Sequence, residues 1–557
     1  MKEKTLHRTV ALLTGLVPFI LGGFFTWTAC LITVVLAAVL WAWLRHHKTL
    51  TVSYSAAALG VLSLPVCYLL AVLWTQDRGM ALPGLCRVLP LLLWAVLLWQ
   101  VTPESREEAL EILPWSGAVM TAVSLPLSYL PVMDGHLQVA GRQAGLFEYP
   151  NTYALFLLLG LLVLATRSAH RWYHGALAAV LLAGIFLSGS RTVFLLTALC
   201  AAVLAFCAPR KAVRRCIVIA LPAAVAGVAA YALVTDKLSS VGRFLTTSLH
   251  SSTFLGRLLY ARDALPVILR HPLGIGYGAY AAMQGSFQTG VYSVQSVHND
   301  LLQLMLDAGW VPALLMAYAV GKTLFRRGTS LRRRLMLGAM CLHALLDFSL
   351  QYLSMAMVLV LLLDFDRCCQ VTVKRRDKRF LTAVGGVLAA FSLYFAAVSG
   401  LAYLGYDAAA VTLDGAYTES LISLMTQQVD METADGLATE VLARNRYVAP
   451  AWRIRAMAAY SRGDIQTMMT CQKQALACAP YDLTGYTDYL EMLSVGEGLY
   501  EQAGDTAGAE TCRAEMRAVP AMLEAVRQKT SALGWLIDDK PELDLPEEYE
   551  DMISQIP

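Results

Sequence analysis

The chain has 557 residues, of which 57% are hydrophobic and 15% charged, and its formal net charge is +3. Soluble proteins carry about 25% charged residues, so most of this chain is not built to face water. The small net charge combines a basic, apolar stretch up to about residue 402 with an acidic remainder; no soluble basic face exists, which argues against nucleic acid as a partner.

From about residue 8 to 402 apolar runs of near-bilayer length follow one another. A run of about 20 apolar residues crosses a bilayer as a helix, and in lipid only helices or closed barrels satisfy every backbone group. The runs are rich in Leu, Ala and Val and lack strand alternation, so helices are predicted. The spans fall near 9–27, 28–44, 55–74, 81–101, 112–131, 149–166, 175–190, 192–208, 216–234, 300–320, 335–348, 351–366 and 380–402, about thirteen in all. The 335–366 stretch reads either as one long tilted helix or as two short ones meeting near Asp347. The first run has no small-residue cleavage site and is read as a retained span. Cys30, Cys67, Cys86, Cys200, Cys207 and Cys341 lie in apolar runs, where Cys packs as a small hydrophobe.

Orientation follows from Lys and Arg in short loops, which stay cytoplasmic. One set of connections carries most of them, among them Arg45 and Lys48, Arg106, Arg167 and Arg171, Arg210 to Arg215, Lys322 to Arg334, and Lys374 to Arg379. The N-terminus is therefore predicted inside, and with an odd number of spans the part after 402 lies outside. The outer connections are 132–148, the turn Ser188-Gly189-Ser190-Arg191, and the long segment 235–299. They hold Arg142, Arg191, Lys237, Arg243, Arg257, Arg262 and Arg270. Arg142 and Arg191 stand out, because positive charge is disfavoured in short outer connections.

Within 235–299, Ser251, Ser252 and Thr253 offer N-caps for a helix over 256–270 that His271-Pro272 ends. Gly274-Ile275-Gly276-Tyr277-Gly278 is a tight turn, and the segment closes on Ser296-Val297-His298-Asn299-Asp300. Long ordered loops are usually functional. Arginine suits bidentate phosphate contacts and histidine suits proton abstraction near neutral pH. A cationic site with a base at the bilayer's outer edge fits an anionic, lipid-linked diphosphate substrate. Plainer readings stand beside this one. Any single loop arginine can be a solvated or headgroup contact, His298 with Asn299 and Asp300 can cap the next helix, and Asn151 after Pro150 can start the span at 149–166. His343 and Asp347, four apart on one helix face, are either a structural polar pair or orienters of the site, since intramembrane ionisable residues are functional hypotheses by default.

After residue 403 charge returns, with acidic residues in excess. Trp452, Ala456 and Tyr460 recur at helical spacing, Gly463-Asp464 makes a turn, and a second helix runs to Ala475 before Pro480. This resembles a tetratricopeptide repeat, of period about 34 residues, with neighbouring units expected at 437–445 and 483–530 because a lone repeat cannot bury its own face. The tail reads either as a surface for a glycan or a protein partner or as a helical cap on the membrane part. Its end, Asp538 to Asp551, is expected to be loosely ordered. Cys471, Cys478 and Cys512 lie here, and the sequence assigns no disulfide among them.

Taken in order, Gly141-Arg142-Gln143-Ala144-Gly145 with Pro150-Asn151, Ser188-Gly189-Ser190-Arg191-Thr192, Gly256-Arg257 leading to His271-Pro272-Leu273-Gly274-Ile275-Gly276, His298-Asn299 with Gly309, and Asp347 resemble the O-antigen ligase family of bacterial envelope enzymes. The resemblance covers roughly 55–366 and rests on the ordered set. It implies a glycosyltransferase of the GT-C type; with the apolar runs and loop charges, the chain is predicted all-α, a polytopic membrane enzyme over residues 1–402 followed by an extracytoplasmic helical repeat-like domain, residues 403–557, which lies outside the family pattern. It further implies an enzyme of the bacterial plasma membrane, without cofactor or metal, that moves a glycan from an undecaprenyl diphosphate carrier to the hydroxyl of a glycan, lipid or protein acceptor on the outer face. By the same resemblance His298 is the base, Arg191 and Arg257 clamp the diphosphate, and Arg142 is a third contact; Asn151, Asn299, His343 and Asp347 are candidate supporting residues. Where the family often has a second glycine after Gly309, this chain has Trp310-Val311-Pro312. A polymerase of the same family is the close alternative; a flippase or an envelope scaffold is the alternative of another class.

Overall fold

The computed structural model describes residues 3–133, 135–167, 171–207 and 252–556. The predicted span 216–234 lies outside these residues, as do Arg210 to Arg215, Lys237, Arg243 and the Ser251 cap.

The chain is an all-α membrane protein. Among the described residues four helices are long and apolar enough to cross a bilayer, Thr26–His46, Ala81–Leu98, Pro103–Leu127 and Arg375–Tyr403, and shorter apolar helices of 10–17 residues stand among them. Two helices form the middle of the bundle. Pro150–Ala165 buries all but two of its 16 residues, and Leu353–Leu362 buries all ten. Both are apolar around their whole circumference, as a helix enclosed by others must be. Arg375–Tyr403 instead runs along Thr26–His46 at the periphery and is only 17% buried over its apolar stretch.

Three predicted spans are interrupted. The 9–27 run is a helix Glu3–Leu16 followed by short 3-10 turns over 17–23, where Gly22 and Gly23 take positive φ. The 300–320 run breaks at Gly309, φ +89°, into Asp300–Ala308 and Trp310–Phe325. The 335–366 run is two helices, Leu331–Ala344 and Leu353–Leu362, with Asp347 in the gap. His343 and Asp347 therefore do not share a helix face, contrary to the i, i+4 expectation.

One end of the bundle gathers the basic connections. Thr49–Ser53 pairs antiparallel with Cys368–Thr372, joining two loops far apart in sequence. Arg332 and Arg167 both meet Glu111, Arg333 meets Glu107 at 2.9 Å, and the Arg106 guanidinium lies 5.5 Å from the Phe365 ring. The connections at 48–53, 102–111, 166–167, 326–334 and 366–374 thus share one face, which is the grouping their charge predicts.

At the other end sits the acidic tail. It contains successive helix pairs: Thr418–Gln427 with Met431–Arg444, Ala449–Ser461 with Ile465–Cys478, and Leu483–Gln502 with Thr506–Lys529. The second helix of each pair is capped by an aspartate, Asp430, Asp464 or Asp505, whose carboxylate accepts a backbone N–H of the first turn. Cys471, Cys478 and Cys512 are free thiols. The tail's end is more ordered than its composition predicts. Leu543 is buried, Tyr549 donates to Glu491 Oε1 at 2.5 Å, and the helix Glu547–Ser554 folds back onto the last pair. Apolar residues spaced between the acidic ones supply that contact.

Candidate active site

The gap at Asp347 sets the site. Breaking a helix at membrane depth releases backbone groups that must find protein partners. Phe348 N donates to Asp347 Oδ1 at 3.0 Å, Leu350 N donates to Asp300 Oδ2 at 2.9 Å, and Asn299 Nδ2 donates to the Leu345 carbonyl at 3.0 Å. Asn299 Oδ1 also accepts Leu301 N and Leu302 N at 3.1 and 3.0 Å, so Asn299 is the cap of Asp300–Ala308. Asn299 is thus a structural residue here, and His298, just ahead of it, is left out of the cap. His298 takes φ +51°, a left-handed conformation uncommon outside glycine.

Asp347 is fully buried and collects four further side chains. Its Oδ1 accepts from Tyr149 Oη at 2.8 Å and lies 3.4 Å from His298 Nδ1. Its Oδ2 accepts from Asn151 Nδ2 at 2.7 Å and from Arg257 Nη2 at 3.1 Å. Asn151 Oδ1 in turn accepts from Arg142 Nη2 at 2.7 Å, and Arg142 Nε donates to the Ser188 carbonyl at 2.8 Å. Arg142 arrives on a two-residue hairpin, Gln138–Val139 with Arg142–Gln143, whose turn residues Ala140 and Gly141 both have positive φ. Arg191 opens the helix Arg191–Cys207, three residues beyond Ser188. It is half-buried, and its side chain makes no hydrogen bond or ion pair with any described residue.

Five of the sequence-predicted residues, Arg142, Asn151, Arg257, His298 and Asp347, are therefore one connected network. Arg191 borders it without a bond to it. His343 is fully buried and contacts Ser349 Oγ at 3.2 Å rather than Asp347; Ser349 Oγ lies 2.9 Å from Thr152 Oγ1, next to Asn151, so His343 braces the site from behind. Two members escaped the sequence reading. Tyr149 carries no local signal beyond its neighbours. Arg87 does: it is a lone arginine inside the apolar run 81–101, and such a residue is a functional hypothesis by default. Its Nη1 donates to the Phe24 carbonyl and its Nη2 to the Gln351 carbonyl at 2.9 Å, and the guanidinium lies 5.1 Å from the Phe24 ring and 5.4 Å from the Tyr277 ring.

The His298 imidazole, 20% exposed, opens onto a cavity of about 1630 Å³ that Arg87, Tyr149, Tyr277 and Phe348 also line. Phe348 meets the imidazole edge-on, with ring centres 4.9 Å apart. The segment leading to His298 is held by close backbone approaches. A Cβ on Gly276 would lie 1.9 Å from Thr75 Oγ1, and one on Gly309 would lie 2.6 Å from the Pro272 carbonyl oxygen. Trp310 packs where the missing second glycine would stand: its N–H donates to the Pro272 carbonyl at 2.9 Å and its indole to the Ile268 carbonyl at 3.2 Å, tying the end of Ser252–Arg270 to the helix break. Further along, Asp263 accepts from Thr289 N and Oγ1, both at 2.7 Å; burial pushes its carboxyl up against the pull of those bonds.

A model of the O-antigen ligase family matches residues 176–317, the stretch that holds Arg191, Arg257 and His298. The chain carries an O-antigen ligase domain. No curated protein matches the chain. The ligase domain belongs to a multi-pass membrane protein of polysaccharide biosynthesis, and its activity is of the O-antigen ligase or polymerase kind. Arg142, Asn151 and Asp347 lie outside the matched stretch and reach it through the network just described.

Proposed function

We propose that the protein transfers a glycan from a polyprenyl diphosphate carrier, undecaprenyl diphosphate in bacteria, to an acceptor hydroxyl, with His298 as the base. The observation that carries this reading is the shared carboxylate: Asp347 lies 3.4 Å from His298 Nδ1 through one oxygen and 3.1 Å from Arg257 through the other. Such a carboxylate holds the Nδ1–H tautomer and leaves Nε2 as the proton acceptor. The acceptor oxygen gives its proton to Nε2 and attacks the anomeric carbon. The bond from that carbon to the diphosphate oxygen breaks, and the configuration at the carbon inverts. Arg257 and Arg191 meet the charge that builds on the departing diphosphate, with Arg142 behind them. Guanidinium groups thereby take the place of a metal ion.

The site lies at the end of the bundle away from the gathered basic loops, which under the positive-inside rule supports an outer-face reaction. We assign residues 1–402 to the membrane enzyme and 403–557 to an extracytoplasmic helical domain. Purified protein given a lipid-diphosphate oligosaccharide tests the reading: transfer that disappears in folded His298→Ala supports it, and normal transfer by that variant sinks it. A ladder of product lengths identifies a polymerase, and a single addition to a second acceptor identifies a ligase.

A further inference from the structure

The cavity that exposes His298 has two walls of different origin. One is built by the membrane helices and the segment after His271. The other comes from the tail, through Asn445, Tyr447, Cys478, Tyr481, Asp482 and Asp539.

The tail wall is seated by backbone contacts. A Cβ on Gly285 would lie 1.7 Å from the Cys478 carbonyl oxygen, one on Gly79 would lie 2.0 Å from the Ala416 carbonyl oxygen, and one on Gly534 would lie 2.3 Å from the Thr289 carbonyl oxygen. Ser531 N donates to that same Thr289 carbonyl at 2.9 Å, and Arg78 N donates to the Arg444 carbonyl at 3.2 Å. Between these points the buried Asp77 accepts from Thr418 Oγ1 at 2.8 Å and from Asn445 Nδ2 at 2.9 Å. A face seated this closely is not free to recruit a separate protein. It is part of the cavity.

The two walls differ in chemistry. The His298 side carries the Arg87 guanidinium, with Arg257 behind His298 on their shared Asp347, and suits a diphosphate. The tail side carries the carboxylate of Asp482, ion-paired with Arg453, the exposed carboxylate of Asp539, and the rings of Tyr447 and Tyr481. Carboxylates accept hydrogen bonds from hydroxyl groups, and tyrosine rings present flat apolar faces with a polar tip. Together they match a saccharide, whose rings have hydroxyl edges and C–H faces. A volume of about 1630 Å³ exceeds the range of roughly 300–1,000 Å³ usual for small-molecule sites, which leaves room for several sugars.

We propose that the tail forms the acceptor-reading wall of the enzyme, with Tyr447, Tyr481 and Asp482 holding the acceptor's saccharide so that one hydroxyl points at His298. This rests on the glycan-transfer reading and adds to it where the acceptor binds and what class of group it presents there.

The test uses the full chain in lipid nanodiscs and an array of bacterial surface oligosaccharides lacking both lipid and phosphate. Wild type is expected to retain at least one oligosaccharide. Tyr447→Ala and Tyr481→Ala should each weaken retention by roughly tenfold, as loss of an aromatic anchor does, while Tyr447→Phe and Tyr481→Phe, which keep the ring, restore it. Gly285→Val, which alters no proposed contact but displaces the wall, should abolish retention while leaving binding of a synthetic undecaprenyl diphosphate unchanged. His298→Ala should keep the oligosaccharide and lose transfer. An array on which wild type retains nothing, or tyrosine and Gly285 variants that retain oligosaccharide as wild type does, overturns the acceptor wall and leaves the transfer reading standing. Transfer by His298→Ala overturns that reading instead.

Discussion

Replacing Asp347 by asparagine changes one atom and should disable the enzyme. Asp347 Oδ1 accepts from Tyr149 Oη and Phe348 N, and Oδ2 accepts from Asn151 Nδ2 and Arg257 Nη2. Whichever way the new amide turns, its NH2 group faces two donors, and His298 loses the charge 3.4 Å from its Nδ1. Hydrogen bonds to a charged group are worth about 1.5–3 kcal/mol each, and removing one partner of a buried ion pair costs about 3–5 kcal/mol. We take the latter range as the ceiling, since the bonds share one carboxylate and do not add independently. At a factor of ten per 1.36 kcal/mol, a loss of that size falling on the transition state lowers kcat by about 10²–10⁴. The fall should appear chiefly in kcat, because both the orienter of the base and the charge balance of Arg257 are lost. The assay is single-turnover transfer from a labelled lipid-diphosphate oligosaccharide by protein in nanodiscs, with melting temperature as the control for folding. Folded Asp347→Asn that transfers within about threefold of wild type, a difference well under 1 kcal/mol, would refute the shared-carboxylate argument.

Arg191 has no protein partner among the described residues, so Arg191→Ala should leave the melting temperature within about 2 °C of wild type while donor KM rises; a melting temperature that drops with donor KM untouched reverses the assignment. Arg257→Lys keeps the charge but not the fork that reaches both Asp347 and a phosphate, and donor kcat/KM should fall by about 10²-fold or more, as for loss of one oxyanion donor; a lysine variant equal to wild type removes Arg257 from the clamp. Gly309→Val forces a Cβ against the Pro272 carbonyl and requires φ +89° of a branched residue, so transfer and thermal stability should drop together, and a variant with normal stability contradicts the packing argument. Seating of the tail should depend on pH. Burial raises the Asp77, Asp263 and Glu419 carboxyls, all at or beside the tail contacts, above their ordinary values. A raised folded pKa contributes stability at low pH that is lost as pH rises through it. Protection of the tail from proteolysis or hydrogen exchange should therefore increase as pH falls through the range where these raised carboxyls take up protons, and Asp77→Asn should flatten part of that slope; tail protection that only weakens on acidification contradicts the assignment.

What the sequence disclosed and what it withheld divide along physical lines. Apolar runs follow from local composition, so the helices of the bundle were legible, and the clustering of basic loops at one end followed from charge counting. The breaks inside runs were not. Gly309 reads as an ordinary glycine until the Pro272 carbonyl is found where its Cβ would be, and the gap at Asp347 is possible only because Asp300 and Asn299, far off in sequence, take up its backbone groups. The same holds for the site. Arg142, Arg257, His298 and Asp347 were visible as an ordered motif, each with a plain reading beside it: a surface contact for the arginines, a cap for His298, a structural polar pair for Asp347. Long-range contact turned them into a network. It demoted Asn299 to a cap, moved His343 behind the site, and added Tyr149 and Arg87. The tail is the extreme case, since Asp77 belongs to a short loop between two membrane helices and its partners Thr418 and Asn445 lie more than 300 residues further on. A helix pair reveals itself by periodicity; where it docks depends on side chains that satisfy a buried carboxylate across that distance. The Asp77 contact therefore joins the two halves of the chain, and together with the close backbone approaches at Gly79, Gly285 and Gly534 it makes the tail a wall of the cavity that contains His298.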